Sequence, residues 1–486
     1  MTTQTMPCTQ VWDKAIFDGN FRKAGHTLDV VAPGSGQVIA TVGQATEADL
    51  DLAVQDATEA QKAWAALPYT ERARVLRKAA AILAANPQRM VDWIVPETGG
   101  GAGKAAHEVA TVIAELEEAA NQASLPYGEV LRSKKERFSY ARKVPVGVVG
   151  VISPFNFPGI LSIRSVAPAL ALGNAVILKP DPRTPITGGL FFAELFTEAG
   201  LPKGLLHVLP GGAEVGKALV AHPGVPCISF TGSTAAGRAI GQAAGPLLKK
   251  VHLELGGNNS MLVLPDADVE AAASVGAWGS YLHQGQICMT TGRHIVHRSL
   301  VDQYAAILAQ KANNIPVGDP EQGFPLGPII DESQRDKVHS IVTETVEAGA
   351  TLAAGGTYDG LFYRPTVLTN VPTASAAWTR EIFGPVAPIV AYDTLDEAIE
   401  LINDTEYGLT VSIITSNPFA AVELADRIET GAVHINDSSI DDEPIIPFGG
   451  AKASGSGGRF GGGANLDTFM ETQWITVQSQ VQAYPF

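Results

Sequence analysis

Cys288, in the run Tyr281-Leu-His-Gln-Gly-Gln-Ile-Cys-Met289, and Glu254, in Leu253-Glu-Leu-Gly-Gly-Asn258, are the residue types that covalent hydrolytic chemistry needs. A thiolate attacks a carbonyl, and a carboxylate later activates water to release the product. A Gly-containing turn leads into Cys288. The chain has only three cysteines, and a free thiol is most often an inert packing group. Cys8 and Cys227 read that way, and Cys288 reads as a nucleophile.

Two further runs carry binding chemistry. Phe230-Thr-Gly-Ser-Thr-Ala-Ala-Gly-Arg238 follows a strand pattern and opens a helix pattern. Glycines at 232 and 237 allow close approach of a ligand, and unpaired N–H groups at a helix start attract phosphate. The run is not the GxGxxG fingerprint, and taken alone it is better read as a tight strand-to-helix turn. Lys179, in Ile177-Leu-Lys-Pro180, ends a predicted strand, the edge at which open parallel sheets bind ligands. It reads as a contact to a ribose hydroxyl or a phosphate, or as a solvated lysine.

The elements that must position these groups follow from periodicity. Glu47 to Trp64 and Thr70 to Ala84 have helical apolar spacing, broken at Pro68, and Gly103 to about Gln122 is a further helix. From Val146 the pattern becomes α/β. Strands at 146–152, 175–178, 206–209 and 227–230 alternate with helices at 186–199 and 212–221, which implies parallel βαβ units. A second α/β region runs from about Asn258 to Pro447, with strands at 260–264, 294–297, 388–391 and 432–435. Gly449 to Gly463 reads as a returning loop, and residues up to about Arg22 as a polar arm. The alternating stretch Gly128 to Lys143 and the run Trp474 to Gln480 predict exposed strands of the kind that add to a neighbouring subunit.

Composition narrows the function class. The 486 residues are 45% hydrophobic, enough for a large ordered core, and suggest roughly two to four domains. Fifty acidic against 34 basic residues give a net charge of −16, which argues against a nucleic-acid or anionic-membrane partner. Three scattered cysteines form no disulfide framework and no metal-ligand spacing, so no metal is expected and a reducing cytoplasm fits. The first ten residues lack the basic and apolar regions of a secretory signal.

Six ordered motifs now connect these pieces: Pro154-Phe-Asn-Phe-Pro158, Lys179-Pro180, Phe230-Thr-Gly-Ser-Thr234, Leu253-Glu-Leu-Gly-Gly257, Gln284-Gly-Gln-Ile-Cys288 and Glu381-Ile-Phe-Gly-Pro-Val386. In sequence and spacing the chain resembles the NAD(P)-dependent aldehyde dehydrogenase superfamily over essentially its whole length. The resemblance implies a Rossmann-like parallel-sheet cofactor domain (1–126 and 144–255), a second α/β catalytic domain (256–448) and a small β oligomerisation flap (127–143 and 464–486). It implies that Cys288 forms a thiohemiacetal, with the Asn156 amide and the Cys288 N–H as oxyanion hole. Hydride loss to the nicotinamide leaves a thioester, hydrolysed by water that Glu254 activates. Lys179 would hold the adenine-side ribose, Gly232 and Ser233 the pyrophosphate, and Glu381 the nicotinamide ribose. Ser153, Pro154, Phe155 and Phe383 would line the same cofactor site.

One departure bears on the cofactor. Many NAD-preferring members carry a glutamate three residues after the lysine, and here that position is Pro182, followed by Arg183. Without that carboxylate a 2′-phosphate meets less repulsion, so the expectation is NAD with tolerance of NADP, Arg183 favouring the phosphate.

Within the superfamily, 177–184, 252–259 and 283–290 look most like aromatic aldehyde dehydrogenases acting on benzaldehyde or vanillin. Phe157, Tyr281, Ile287 and Met289, with Phe155 and Trp278, offer flat and polarizable surface for an aryl ring, although Phe155 and Trp278 suit a core equally. Arg164 complicates the choice, because guanidinium binds carboxylates in bidentate fashion and semialdehyde dehydrogenases carry an arginine at the corresponding place. A succinic-semialdehyde-type substrate is therefore the alternative, unless Arg164 bonds a ring substituent or pairs with an acidic neighbour. A CoA-acylating enzyme would not need Glu254, and an inactive binding protein would not need Asn156, Glu254 and Cys288 together. The family also implies a cytoplasmic homodimer or homotetramer.

Overall fold

The computed structural model describes residues 11–486; residues 1–10, with Cys8, lie outside the described residues. Two mostly parallel sheets dominate. The first runs in the order Phe21–Lys23, Ala15–Phe17, Leu206–Val208, Ala175–Lys179, Val148–Ile152, Cys227–Thr231, Lys250–Glu254 and Gly455–Ser456. Its five inner strands are parallel and its edges antiparallel. From Val148–Ile152 the chain builds outward through Ala175–Lys179 and Leu206–Val208, then crosses back to Cys227–Thr231. The direction of winding reverses between the two central strands, and a crevice opens beyond their carboxyl ends.

Inner strands such as Ala175–Lys179 are buried along their whole length. That is why they read as continuous β-branched runs and not as alternation: helices cover both faces of a parallel sheet. One of these helices, Pro158–Ala171, is buried on every side. It starts with Pro at its first position, where no N–H is needed, and its second N–H is capped from a distance by the Glu108 carboxylate at 2.7 Å.

Four residues, Leu255-Gly-Gly-Asn258, carry the chain from Glu254 to the second sheet, which begins with Asn259–Val263. Its order is Thr351–Ala354, Thr366–Thr369, Val386–Tyr392, Thr291–His297, Asn259–Val263, Thr410–Ile414 and Ala432–Ile435. All neighbours are parallel except the first pair. A separate antiparallel sheet joins Gly128–Val130, Phe138–Pro145 and Met470–Val477. Among the described residues no helix is long and apolar enough to cross a membrane.

Several expectations need correction. Residues 15–23 are not an arm but an edge hairpin, with Ile16 fully buried; two three-residue strands leave no readable period. The returning loop 449–463 contains the short strand Gly455–Ser456, paired to Leu253 and Glu254. The expected helix at 186–199 opens with a π-helical turn, Ile186–Leu190, whose N–H groups at Ile186 and Thr187 are held by the buried Glu97 carboxylate at 2.8 Å. Strand Thr410–Ile414, helix Gln88–Thr98 and the hairpin His26–Val31 with Val38–Gln44 add to the expected elements.

Candidate active site

The loop carrying Cys288 leaves helix Val269–Tyr281 through three consecutive left-handed residues, with φ of +47° at His283, +57° at Gln284 and +66° at Gly285. Such backbone persists in residues with side chains only where the surroundings over-determine it. Here they do. Gln284 Nε2 donates to the Gly99 carbonyl at 3.3 Å, Thr290 Oγ1 to the Gly285 carbonyl at 3.0 Å, and Ser439 Oγ to the Met289 carbonyl at 2.8 Å. Asn259 Nδ2 donates to the carbonyls of both Cys288 and Thr290 at 2.8 Å. Asn156 Nδ2 donates to the Gln286 carbonyl at 2.8 Å, which ties the start of helix Pro158–Ala171 to the Cys288 loop. An amide nitrogen has two hydrogens, so this bond leaves Asn156 one more to give.

Cys288 is the meeting point of two cavities. The first, of about 790 Å³, lies in the crevice at the carboxyl edge of the first sheet and shares Cys288, Asn156 and Leu161 with the second, of about 370 Å³. Ser153, Pro154, Phe155, Lys179, Gly232, Ser233, Glu381 and Phe383 all line the first cavity. Ser233 caps helix Thr234–Ala244 there, its side chain accepting from the Ala236 N–H. Lys179 is 7% exposed, and burial pushes its ammonium down from the usual lysine value. Glu381 accepts from the Gly257 N–H at 3.0 Å, and a Cβ on Gly256 would stand 2.4 Å from its carboxylate. A helix start, a buried cation, a half-buried carboxylate and an apolar floor at Val220, Ile240 and Ala243 are the donor set and walls a dinucleotide requires.

The second cavity is mainly apolar. Phe157, Ile160, Leu161, Ile287, Met289 and Phe448 line it, with Trp278 at 56% exposure on its rim. Phe155, by contrast, belongs to the first cavity, edge-on to Phe383 at 5.9 Å. Lys104 also lines the second cavity. It is buried, paired with Glu108 at 2.5 Å, and lies over the Phe157 ring at 4.4 Å. Periodicity marks Lys104 only as a helix residue, and nothing in its spacing signals the pairing.

Charge is concentrated around the thiol. Burial pushes the Cys288 thiol up to about 12, helped by the carboxylates of Glu381 and Glu254 and opposed by the Arg164 guanidinium. Burial likewise raises Glu254 and Glu381 above the usual carboxylate range. Glu254 is 3% exposed and lines neither cavity. One of its oxygens is 3.3 Å from His252 Nε2, and the other has no hydrogen-bond partner.

Three expected contacts are corrected. Tyr281 does not reach the second cavity; it is 2% exposed, packed with Met261 and Tyr304 in the second sheet's core, and its hydroxyl donates to the Thr366 carbonyl at 3.4 Å. Arg164 lines the cavity, but its guanidinium is already paired with the acidic neighbours Glu115 and Asp442, with which a substrate carboxylate would have to compete. Arg183 is locked by both oxygens of Asp181 at 2.9 Å and by Asp331 at 2.7 Å, and covers the Phe155 ring at 4.1 Å. A 2′-phosphate would have to compete with these two carboxylates for Arg183, and Asp181 brings into the first cavity a carboxylate that Pro182 lacks.

Comparison with known proteins adds an independent line. The aldehyde dehydrogenase family pattern matches residues 21–475. The chain is 54% identical over 478 residues to a vanillin dehydrogenase of Amycolatopsis sp., covering 98% of each. It is 50% identical over 479 residues to an NAD+ benzaldehyde dehydrogenase of Pseudomonas putida, again covering 98% of each. Among solved structures it is similar to the betaine aldehyde dehydrogenase of Staphylococcus aureus in complex with NAD+, with a TM-score of 0.95 and 30% identity, covering 98% of this chain and 97% of that one.

Proposed function

The chain belongs to the aldehyde dehydrogenase family, and from this premise we propose that it oxidises an aromatic aldehyde of the benzaldehyde and vanillin class to the carboxylic acid with NAD. The observation that carries this reading is the junction of the two cavities at Cys288 and Asn156. One cavity has the walls for a dinucleotide, and the other is mainly apolar and suits an aryl ring. The two relatives of highest identity given above carry the names of enzymes for such aldehydes.

The residues divide the work. Cys288 Sγ attacks the aldehyde carbon. The second amide hydrogen of Asn156 and the Cys288 backbone N–H meet the oxyanion, where such donors act most strongly because its charge develops in the transition state. NAD, when bound, supplies the hydride acceptor. Lys179, Ser233 and Glu381 orient it along the first cavity, with Phe155 and Phe383 as walls. Glu254 takes a proton from the water that cleaves the thioester. Glu254 lines neither cavity but is near enough for its charge to oppose ionisation of Cys288, and in this reading its side chain turns toward the thioester for that step.

With Arg183 engaged by two acids, NAD is the preferred cofactor, while Pro182 leaves measurable use of NADP. The exposed three-stranded sheet supports a homodimer or homotetramer, and the low cysteine content suits the cytoplasm. The test is a matrix of benzaldehyde, vanillin and succinic semialdehyde against NAD and NADP, without CoA. Aromatic substrates should give the higher kcat/KM with release of free acid. Faster turnover of succinic semialdehyde would overturn the substrate class. A preference for NAD above about a thousandfold, near 4 kcal/mol, would overturn the NADP tolerance.

A further inference from the structure

Strand Lys250–Glu254 alternates its side chains, so His252 and Glu254 share one face of the sheet. Both are withdrawn from solvent, at 1% and 3% exposure. Nε2 of His252 is 3.3 Å from Oε1 of Glu254, and the imidazole meets the Phe460 ring edge-on at 4.3 Å between centroids. An ionised carboxylate only accepts hydrogen bonds, so with Glu254 as the anion Nε2 carries the hydrogen of this contact. The other ring nitrogen, Nδ1, is buried with no hydrogen-bond partner. Gly449 provides the room for this arrangement, since a Cβ there would stand 2.6 Å from Oε1 of Glu254 and 2.5 Å from Cδ of Arg459. The pair adjoins the cavities without lining either.

We propose that His252 is a positioning residue for Glu254: its Nε2–H holds the carboxylate as an anion clear of both cavities, and releases it to the water beside Cys288 once a thioester has formed. The proposal rests on the reading of Glu254 as the hydrolytic base. No atom is exchanged in the handover; one hydrogen bond is given up and another, from water, is made.

The groups that face Glu254 are His252 on its own strand, Arg459 from the glycine-rich return, Arg164 from helix Pro158–Ala171, and Cys288. Burial raises the carboxylate, and the three cationic or donor groups oppose that rise. A hydrogen bond to the charged form favours it, so removing the histidine donor raises Glu254 further. Thioester hydrolysis, which needs the anion, then begins at higher pH.

The experiment is rapid mixing of benzaldehyde and NAD with the full-length enzyme across pH, reading the NADH burst and the later acid release separately. His252→Leu removes the donor at similar volume, and His252→Gln keeps an N–H near the Nε2 position. His252→Leu should keep the burst rate and shift the rising limb of acid release upward by about one pH unit, making it roughly tenfold slower on that limb, with His252→Gln restoring the limb. A limb in His252→Leu that matches wild type, or a burst rate falling in step with acid release, overturns the proposal. Glu254→Gln separates the two failures. If it releases acid like wild type, the reading of Glu254 falls. If it traps the thioester while His252→Leu keeps the wild-type limb, only the role of His252 falls. If His252→Leu does not fold, the comparison of His252→Gln with His252→Asn, whose amide is too short to reach, decides by the same limb.

Discussion

At the residue scale the unusual feature is a nucleophile surrounded by groups that oppose its ionisation. Burial and two carboxylates hold Cys288 near 12, against about 8.5 for an ordinary thiol. The thiolate fraction of the protein without cofactor should therefore keep rising above pH 8.5. Iodoacetamide labelling of Cys288, with Cys288→Ala as the blank, is expected to accelerate tenfold per pH unit through pH 9 to 10 without a plateau, and a plateau near 8.5 would contradict this. Asn156 gives one hydrogen to the Gln286 carbonyl, and in the proposed reaction the other goes to the oxyanion. Asn156→Ala should lower kcat by about 10² to 10³-fold, measured with benzaldehyde at saturation. Cys288, Glu254 and Asn156 could be singled out because each stands in a motif that is contiguous in the sequence, and the structure brings Cys288 and Asn156 to one junction. The His252 contact was not legible, although the residue stands two places from Glu254. Strand alternation makes the two neighbours on one face, but only the packing of Phe460 and the absence of a side chain at Gly449 turn that neighbourhood into a hydrogen bond.

At the scale of elements, the site depends on what holds helix Pro158–Ala171 and the Cys288 loop together. Glu108 serves twice, pairing with the buried Lys104 and capping the helix start at Gly159. Removing one partner of a buried pair leaves an uncompensated charge, so Glu108→Ala should lower the unfolding free energy by about 3 to 5 kcal/mol in denaturant titration, with kcat falling as Asn156 loses its anchor. An unchanged midpoint would contradict this. The long helices and the buried strands of both sheets were readable from period and from β-branched runs. The hairpin at 15–23 and the strand Gly455–Ser456 were not, because two or three residues carry no period and their pairing is decided by the sheet edge they meet. Tyr281 shows the reverse limit: its place before the nucleophile suggested the substrate, but the left-handed turn at 283–285 sends the loop away from the helix end and leaves Tyr281 in the core.

At the scale of the whole molecule, the strands Gly128–Val130, Phe138–Pro145 and Met470–Val477 expose Val130 at 75%, Phe138 at 53% and Trp474 at 60%. Apolar residues grouped on a small sheet mark an association surface. Light scattering should give a dimer or tetramer, and Val130→Asp with Trp474→Arg should shift it toward monomer; a wild-type protein that is monomeric at micromolar concentration would contradict the assembly. The proposed function rests on one junction, where the two cavities share a single sulfur. Intact-mass analysis of Glu254→Gln after exposure to benzaldehyde and NAD tests that junction most directly. The expected result is one benzoyl group on Cys288 for each NADH formed, with neither product from Cys288→Ala; benzoate release that survives loss of Cys288 would contradict it.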